Sequence, residues 1–158
     1  MTIYPNFITL KHALEAKKMR LVSNQEIVRN TRVDPRTIGK FIRADISLLY
    51  FTTLMKFIHY FKSEGLVIEV GDFFCWKGEE LVSNIGSLIA RLDPIPTDGE
   101  VHDETGIPFL RVENLVRGNV KRIYLDDLAA LLVFFRKRGL SIDLGDLLRE
   151  EEADSPPF

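Results

Sequence analysis

The chain has 158 residues, of which 46% are hydrophobic and 28% charged, a composition that excludes a disordered or fibrous protein. No apolar run approaches the ~20 residues of a membrane helix and the single cysteine excludes an internal disulfide, so we expect a cytoplasmic protein without a membrane partner. The net charge of −2 conceals an asymmetry, because residues 1–80 carry 12 Lys and Arg against 9 Asp and Glu, whereas residues 81–158 carry 9 against 14.

An internal repeat organises the chain. Residues 31–74 align without a gap with residues 105–148, and ten of the 44 aligned pairs are identical. Chance gives roughly two or three identical pairs on typical residue usage. The repeat therefore predicts two similar domains, residues 7–76 and residues 81–150, which are followed by a frayed tail at residues 151–158.

Each unit is predicted to be a bundle of five helices, so the expected fold class is all-α. The predicted helices and their equivalents in the second unit are 8–19 and 80–92, 24–31 and 98–105, 35–43 and 109–117, 51–63 and 125–137, and a short helical turn after Gly71 and Gly145. Residues 66–70 include β-branched side chains that favour a strand, but we interpret this segment as an extended connection.

The second helix of each unit begins with the same local signal. Ser23 is followed three residues later by Glu26, and Thr97 is followed in the same way by Glu100. In such a capping box the hydroxyl accepts from an amide of the first helical turn, while the carboxylate reaches back to the cap amide. Pro35 then falls in the first turn of the next helix, where its missing N–H costs nothing.

The segment SNQEIVRNTRVDPRTIGKFIRA, Ser23 to Ala44, predicts two short helices around a tight turn and resembles the Cro/repressor-type (Xre-like) helix-turn-helix family. The positions that fit the family pattern in type and spacing are Ser23, Glu26, Ile27, Val33, Thr37, Ile38 and Phe41. The segment TDGEVHDETGIPFLRVENLVRG, Thr97 to Gly118, fits the same frame. The resemblance implies two tandem lambda-repressor-like domains. Arg32 departs from the pattern, because the family prefers glycine in the turn.

The resemblance also implies which residues bind double-stranded DNA. The third helix of such proteins enters the major groove, where Arg36 is expected to read guanine and Lys40 to reach bases or phosphates. The complete set of expected DNA-binding residues is Asn24, Arg29, Arg32, Pro35, Arg36, Thr37, Lys40 and Arg43. A basic surround is expected from Lys17, Lys18 and Arg20, and the alternative for all these residues is an ordinary solvated basic face.

The corresponding surface of the second unit is acidic and apolar, which disfavours contact with phosphate. Phe109 and Leu110 are expected to be exposed and, together with Glu113, to bind a protein partner, with dimerisation as the preferred interpretation. Two alternatives remain open. In one, Phe109 and Leu110 pack against the first unit. In the other, a weaker DNA contact is made by Arg111, Arg117, Lys121 and Arg122.

The sequence predicts no catalytic residue, metal site or cofactor. His12, His59 and His102 have no metal-ligand spacing with another His, Cys or carboxylate, and the chain has no phosphate-binding glycine loop. We therefore expect a non-enzymatic transcriptional regulator, a repressor that binds near-palindromic DNA as a homodimer. The alternative hypothesis is a protein-binding adaptor or inhibitor, antitoxin-like or acting on the transcription machinery, that uses the helix-turn-helix fold without reading DNA.

Overall fold

The computed structural model of the protein describes residues 1–151 and corrects the expected fold class. The chain is mixed α/β rather than all-α, with eight helices (51% helical) and six strands among the described residues. The strands form three two-stranded antiparallel sheets. Neither repeat is a five-helix bundle, because each contains four helices and three strands. Of the tail predicted at residues 151–158, only Glu151 is described, and residues 152–158 lie outside the described part.

Both repeats follow the order strand, three helices, strand, helix, strand. The first repeat contains β1 (Thr2–Pro5), α1 (Phe7–Lys18), α2 (Asn24–Thr31), α3 (Pro35–Ile42), β2 (Leu48–Tyr50), α4 (Phe51–Ser63) and β3 (Phe74–Lys77). The second repeat contains β4 (Glu80–Ser83), α5 (Ile85–Ala90), α6 (Asp98–Thr105), α7 (Phe109–Arg117), β5 (Arg122–Tyr124), α8 (Leu125–Lys137) and β6 (Leu148–Glu151). The bounds of α2, α4, α6 and α8 are those that the sequence predicts.

The two repeats pair their strands with each other around a pseudo-twofold axis. β3 pairs with β4 and β6 pairs with β1, so each repeat contributes its first strand to a sheet with the last strand of the other. β2 pairs with β5, with Leu49 opposite Ile123. In addition, β4 packs on α4 and β1 packs on α8. All three sheets therefore join the two repeats, and β1 lies outside the first domain as the sequence predicts it, residues 7–76.

Two Gly-Asp dipeptides hold the repeats together in equivalent ways. The Asp146 carboxylate accepts a hydrogen bond from the Glu69 amide at 2.6 Å, and the Asp72 carboxylate accepts one from the Asp143 amide at 2.5 Å. A side chain at Gly71 or at the equivalent glycine of the second repeat would overlap the backbone of the opposite repeat. The short helical turn predicted after each glycine is wrong, since both segments are turns that lead into β3 and β6.

Four of the strands escape sequence reasoning because their partners are distant in the chain and each has only three or four residues. Such short segments are too brief to show the two-residue alternation that marks a half-buried strand. β3 and β4 are different, because they form a hairpin with a two-residue turn at Gly78 and Glu79, and the glycine in that turn was a local signal for it. The helix predicted over 80–92 is consequently wrong at its start, where residues 80–83 form β4 and α5 begins at Ile85. Residues 66–70 are an extended connection, as predicted.

One hydrophobic core runs through both repeats and supports α3. The Phe57 ring of α4 lies 4.7 Å from the Phe7 ring of α1 and 4.9 Å from the Phe41 ring of α3, measured between centroids. This packing holds the inner side of α3 and leaves its other side to solvent. Among residues 1–151, no helix is both long and apolar enough to cross a membrane.

Candidate nucleic-acid interface

Helices α2 and α3 form a helix-turn-helix whose geometry follows from local caps. The Ser23 hydroxyl accepts a hydrogen bond from the Glu26 amide at 3.1 Å, and the Asp34 carboxylate accepts one from the Arg36 amide at 2.7 Å. Between the helices, Arg32 adopts a left-handed backbone with φ of 58°. This position suits glycine, and a side chain in this conformation is strained. The chain tolerates that strain at Arg32.

The inner side of this motif is buried and fixes which residues point outward. Ile27, Ile38 and Phe41 are all at most 3% exposed. The buried Thr31 hydroxyl donates to the Ile27 carbonyl at 2.7 Å and accepts from the Val33 amide at 3.2 Å, which ties the end of α2 to the turn. The relative placement of α2 and α3 is thus set by packing and by hydrogen bonds within the motif.

The structure leaves most of the eight residues predicted to bind DNA accessible to solvent. Thr37 is half-buried, and the other seven are exposed, namely Asn24, Arg29, Arg32, Pro35, Arg36, Lys40 and Arg43. None of the five cations in this set forms an ion pair with another residue of the described range 1–151. Their charges are therefore available to an external anion.

The neighbouring cations of α1 are in a different situation. The Lys17 ammonium donates to the Gly65 carbonyl at 2.6 Å, and Lys18 and Arg20 both form ion pairs with Glu26. The hydrogen bonds from Arg20, with the added charge of Lys18, lower the pKa of Glu26 from 4.5 to about 2. Each of these three residues therefore has a partner within the chain, although Lys17 and Arg20 stay exposed to solvent. Glu26 does not complete the predicted capping box.

The second repeat forms the same motif from α6 and α7. Its capping box is complete, because Thr97 Oγ1 accepts from the Glu100 amide at 3.2 Å and the Glu100 carboxylate accepts from the Thr97 amide at 3.1 Å. Gly106 has φ of 76° at the position equivalent to Arg32. His102, which stands where the family pattern has a small residue, donates from Nδ1 to the Ile107 carbonyl at 2.6 Å and so supports the turn.

A partly buried ion pair occupies the first turn of α7. Arg111 lies against Asp127 of α8 in a bidentate arrangement, with both nitrogen–oxygen distances at 2.9 Å. Burial raises the pKa of Asp127, and the hydrogen bonds from Arg111 oppose that rise. The Arg111 guanidinium also lies 4.6 Å from the centroid of the Tyr124 ring. Since the equivalent residues of the first repeat are Thr37 and Thr53, this pair is specific to the second repeat.

The residues predicted to bind a protein partner lie on the outer side of α7. Phe109 is 45% exposed and Leu110 is 68% exposed. Glu113 is half-buried and its carboxylate lies 3.8 Å from Arg117. The exposure of both apolar side chains argues against the alternative in which they pack on the first repeat.

The β2·β5 ribbon lies between the two motifs, and the sequence analysis did not anticipate it. A cavity of about 260 Å³ between α3 and the ribbon is lined by Thr37, Lys40 and Tyr50. An equivalent cavity of about 330 Å³ beside α7 is lined by residues that include Arg111, Tyr124 and again Tyr50. Because Tyr50 lines both cavities, both cavities adjoin the same end of the ribbon. The sequence signal for the ribbon was the pair of tyrosines, Tyr50 and Tyr124, that follow the apolar residues Leu49 and Ile123 at equivalent positions of the two repeats.

Within residues 1–151, no group of three or more His, Cys, Asp or Glu residues is placed to hold a metal ion. Comparison with known proteins adds no relative, because no sequence-family model, curated protein or solved structure matches the chain significantly. The geometry of the two motifs and their charges are therefore the observations that bear on function.

Proposed function

We propose that this protein is a sequence-specific DNA-binding regulator of transcription that places α3 in the major groove. The observation that carries the proposal is that five exposed cations of the first repeat's helix-turn-helix form no ion pair with any residue of the described range 1–151. An incidental basic face does not explain why these five cations lack ion pairs whereas the neighbouring Lys18 and Arg20 form them. The resemblance of Ser23 to Ala44 to the Xre-like pattern supports the same conclusion.

The positions of the cations suggest a division of labour. Arg36, in the first turn of α3, is suited to a bidentate contact with the O6 and N7 atoms of guanine. Lys40 lies one turn later on the same helix and reaches bases or phosphates. Arg29 and Arg32 flank the helix and contact phosphates, and the N-terminus of α2 at Asn24 adds amide donors for a further phosphate.

The charge of the second repeat makes the proposed DNA site asymmetric. Residues 23–44 contain five Lys and Arg against two Asp and Glu, whereas residues 97–118 contain two against five. Phosphate would be repelled by the second set, and Arg111 is already bound to Asp127. One chain therefore reads one half-site. The predicted homodimer on near-palindromic DNA stays a prediction, and the experiment below tests it.

In this proposal the protein has no catalytic role and works in the cytoplasm, where it represses transcription by occupying its site. Its residues would act by binding DNA and by holding α3 in the groove, and neither role requires a cofactor.

The test is selection of bound fragments from a random DNA pool by the intact chain and by the Arg36→Ala/Lys40→Ala variant. We expect an enriched, non-palindromic motif that disappears with the variant. The matched control is Lys77→Ala/Lys137→Ala, which removes two exposed cations from β3 and α8 and should select the same motif. Enrichment of a palindrome would instead support the homodimer, and no enrichment at low salt with folded protein would refute DNA reading.

Exposed Phe109 and Leu110 favour a second candidate function, that of an adaptor that binds another protein. The two candidates differ in their response to salt. A DNA complex with several phosphate contacts weakens steeply as the salt concentration rises, whereas an apolar protein interface does not.

A further inference from the structure

The β2·β5 ribbon has exposed side chains for which the two helix-turn-helix motifs do not account. Leu49 and Ile123 pair at the centre of the ribbon and are at most 3% exposed, so they point into the core. Side chains alternate between the two faces of a strand, and the flanking positions therefore point outward. Two of these outward residues, Tyr50 and Arg122, lie directly opposite each other, and both are exposed.

Tyr50 connects this pair with the helix that is proposed to enter the major groove. It lines the cavity of about 260 Å³ that Thr37 and Lys40 of α3 also line. The Arg122 guanidinium donates to the Tyr50 hydroxyl at 3.5 Å. The ribbon thus brings a cation of the second repeat to a tyrosine that borders α3 of the first repeat.

Both side chains of the pair retain donors for an external anion. The Tyr50 oxygen accepts the hydrogen bond from Arg122, so the hydroxyl can still donate its own proton. Arg122 forms no ion pair within the described residues 1–151, and its guanidinium has several N–H donors, of which the contact with Tyr50 uses one. Arginine and tyrosine side chains donate to phosphate oxygens in protein–DNA complexes. The pair is therefore chemically suited to a DNA phosphate.

The equivalent tyrosine of the second repeat has different neighbours. Tyr124 corresponds to Tyr50, and the residue opposite it in the ribbon is the apolar Leu48. The cation that lies over the Tyr124 ring, at 4.6 Å from its centroid, is Arg111, and Arg111 is bound to Asp127. The two tyrosines therefore differ in the same direction as the two motifs, since the unpaired cation stands beside the tyrosine that borders the basic motif.

We propose that Tyr50 and Arg122 contact a DNA phosphate at the edge of the major groove that α3 occupies, an inference that rests on the proposed function. The DNA site is then built from both repeats, because β2 and β5 each supply one residue. Arg122 acts on the same half-site as Arg36 and Lys40, and not in a separate, weaker contact of the second motif. A phosphate contact adds affinity and orients the protein but carries no sequence information.

The test is a fluorescence-anisotropy titration, over a range of salt concentrations, of the duplex selected from the random pool and of a scrambled duplex. Arg122→Ala should weaken binding to both duplexes by the same factor. It should also reduce the slope of the logarithm of the binding constant against the logarithm of the salt concentration by about 0.9, the value for one phosphate of B-DNA. Arg122→Lys keeps the charge and should keep the slope. Tyr50→Phe should weaken binding about 2–10-fold, the effect of one hydrogen bond, without changing the slope.

The matched control is Arg117→Ala, which removes one exposed cation from α7 and should change neither the affinity nor the slope. Thermal unfolding of each variant shows that it is folded. Equal changes in Arg117→Ala and Arg122→Ala would overturn the proposal, because they would show a general effect of net charge.

The failure of this contact and the failure of the proposed function have different signatures. An unchanged slope in Arg122→Ala, while Arg36→Ala/Lys40→Ala loses the selected duplex, would overturn the contact and leave the proposed function in place. An unaltered chain that binds neither duplex at low salt would refute the proposed function and this contact with it.

Discussion

The α2–α3 motif and the α6–α7 motif show how one local fold supports two different surfaces. Their helices begin at equivalent residues, and both turns contain a left-handed residue, Arg32 in one and Gly106 in the other. The buried positions keep their apolar character, as Ile38 and Val112 do at the same place. The exposed positions do not, because Arg29 is replaced by Asp103, Arg36 by Leu110 and Lys40 by Asn114, although Arg43 is matched by Arg117.

This difference teaches that core and surface are constrained separately. The buried side chains maintain the angle between the two helices, so either motif could present a helix to a partner. The chemistry of that partner is decided by exposed residues, which have little influence on folding. Three changes test this comparison.

The largest effect is expected from giving the second motif the surface of the first. The variant Asp98→Asn/Asp103→Arg/Leu110→Arg/Asn114→Lys places the residues of positions 24, 29, 36 and 40 on α6 and α7. Because the motifs are related by a pseudo-twofold axis, the DNA that this variant selects should become an inverted repeat of the original half-site. A new Arg–guanine contact adds about 1–3 kcal/mol of discrimination, and a binding titration measures it.

The reciprocal exchange, Asn24→Asp/Arg29→Asp/Arg36→Leu/Lys40→Asn, is the matched control and should abolish DNA binding. A grafted protein that still selects the single half-site would show that α7 is not placed to read DNA in the way that α3 is.

A smaller effect is expected from the ion pair that only the second repeat contains. Arg111→Ala leaves the carboxylate of Asp127 buried without a partner, which costs about 3–5 kcal/mol for a fully buried pair. Since the Arg111 side chain is 44% exposed, solvent screening reduces the expected loss of unfolding free energy to about 1–2 kcal/mol. The double variant Arg111→Thr/Asp127→Thr copies the first repeat and should recover most of this loss in urea unfolding.

The pH dependence of this effect has a definite sign. Burial raises the pKa of Asp127 above 3.8, so the folded chain holds the proton more tightly than the unfolded chain does. The stabilisation that protonated Asp127 provides is complete below 3.8 and is lost as pH rises through the raised pKa. Arg111→Ala raises this pKa further, so its cost should be greatest at neutral pH. An equal cost below pH 3.8 would contradict the ion-pair explanation.

The smallest effect is expected in the turns. Arg32 and Ala44 have φ of 58° and 55°, whereas their equivalents in the second repeat are Gly106 and Gly118. Arg32→Gly and Ala44→Gly should each raise the unfolding free energy by about 0.5–1 kcal/mol, because glycine accepts this conformation without steric cost. Thermal unfolding measures the gain. Only Arg32→Gly should weaken DNA binding. Equal DNA affinity of the two variants would show that Arg32 does not contact DNA.

The sequence predicted more of the candidate site than of the fold. Capping residues and helical periodicity act within a few residues, so they located α2 and α4 and the outward positions of α3. The same reasoning treated Lys17 and Arg20 as free cations, because their partners Gly65 and Glu26 become neighbours only when α1 packs. The contact between Arg111 and Asp127 was missed for the same reason.

The sequence by itself determined the repeat, its helix-turn-helix segments and the opposite charges of their outer residues, because all of these depend on residue identity and short spacing. Only the tertiary structure decided that the chain is mixed α/β and that its repeats share three sheets. The paired strands are separated by most of the chain in the case of β1 and β6, and no local pattern specifies such a partner. Their pairing is fixed when the hydrophobic core brings the two repeats together.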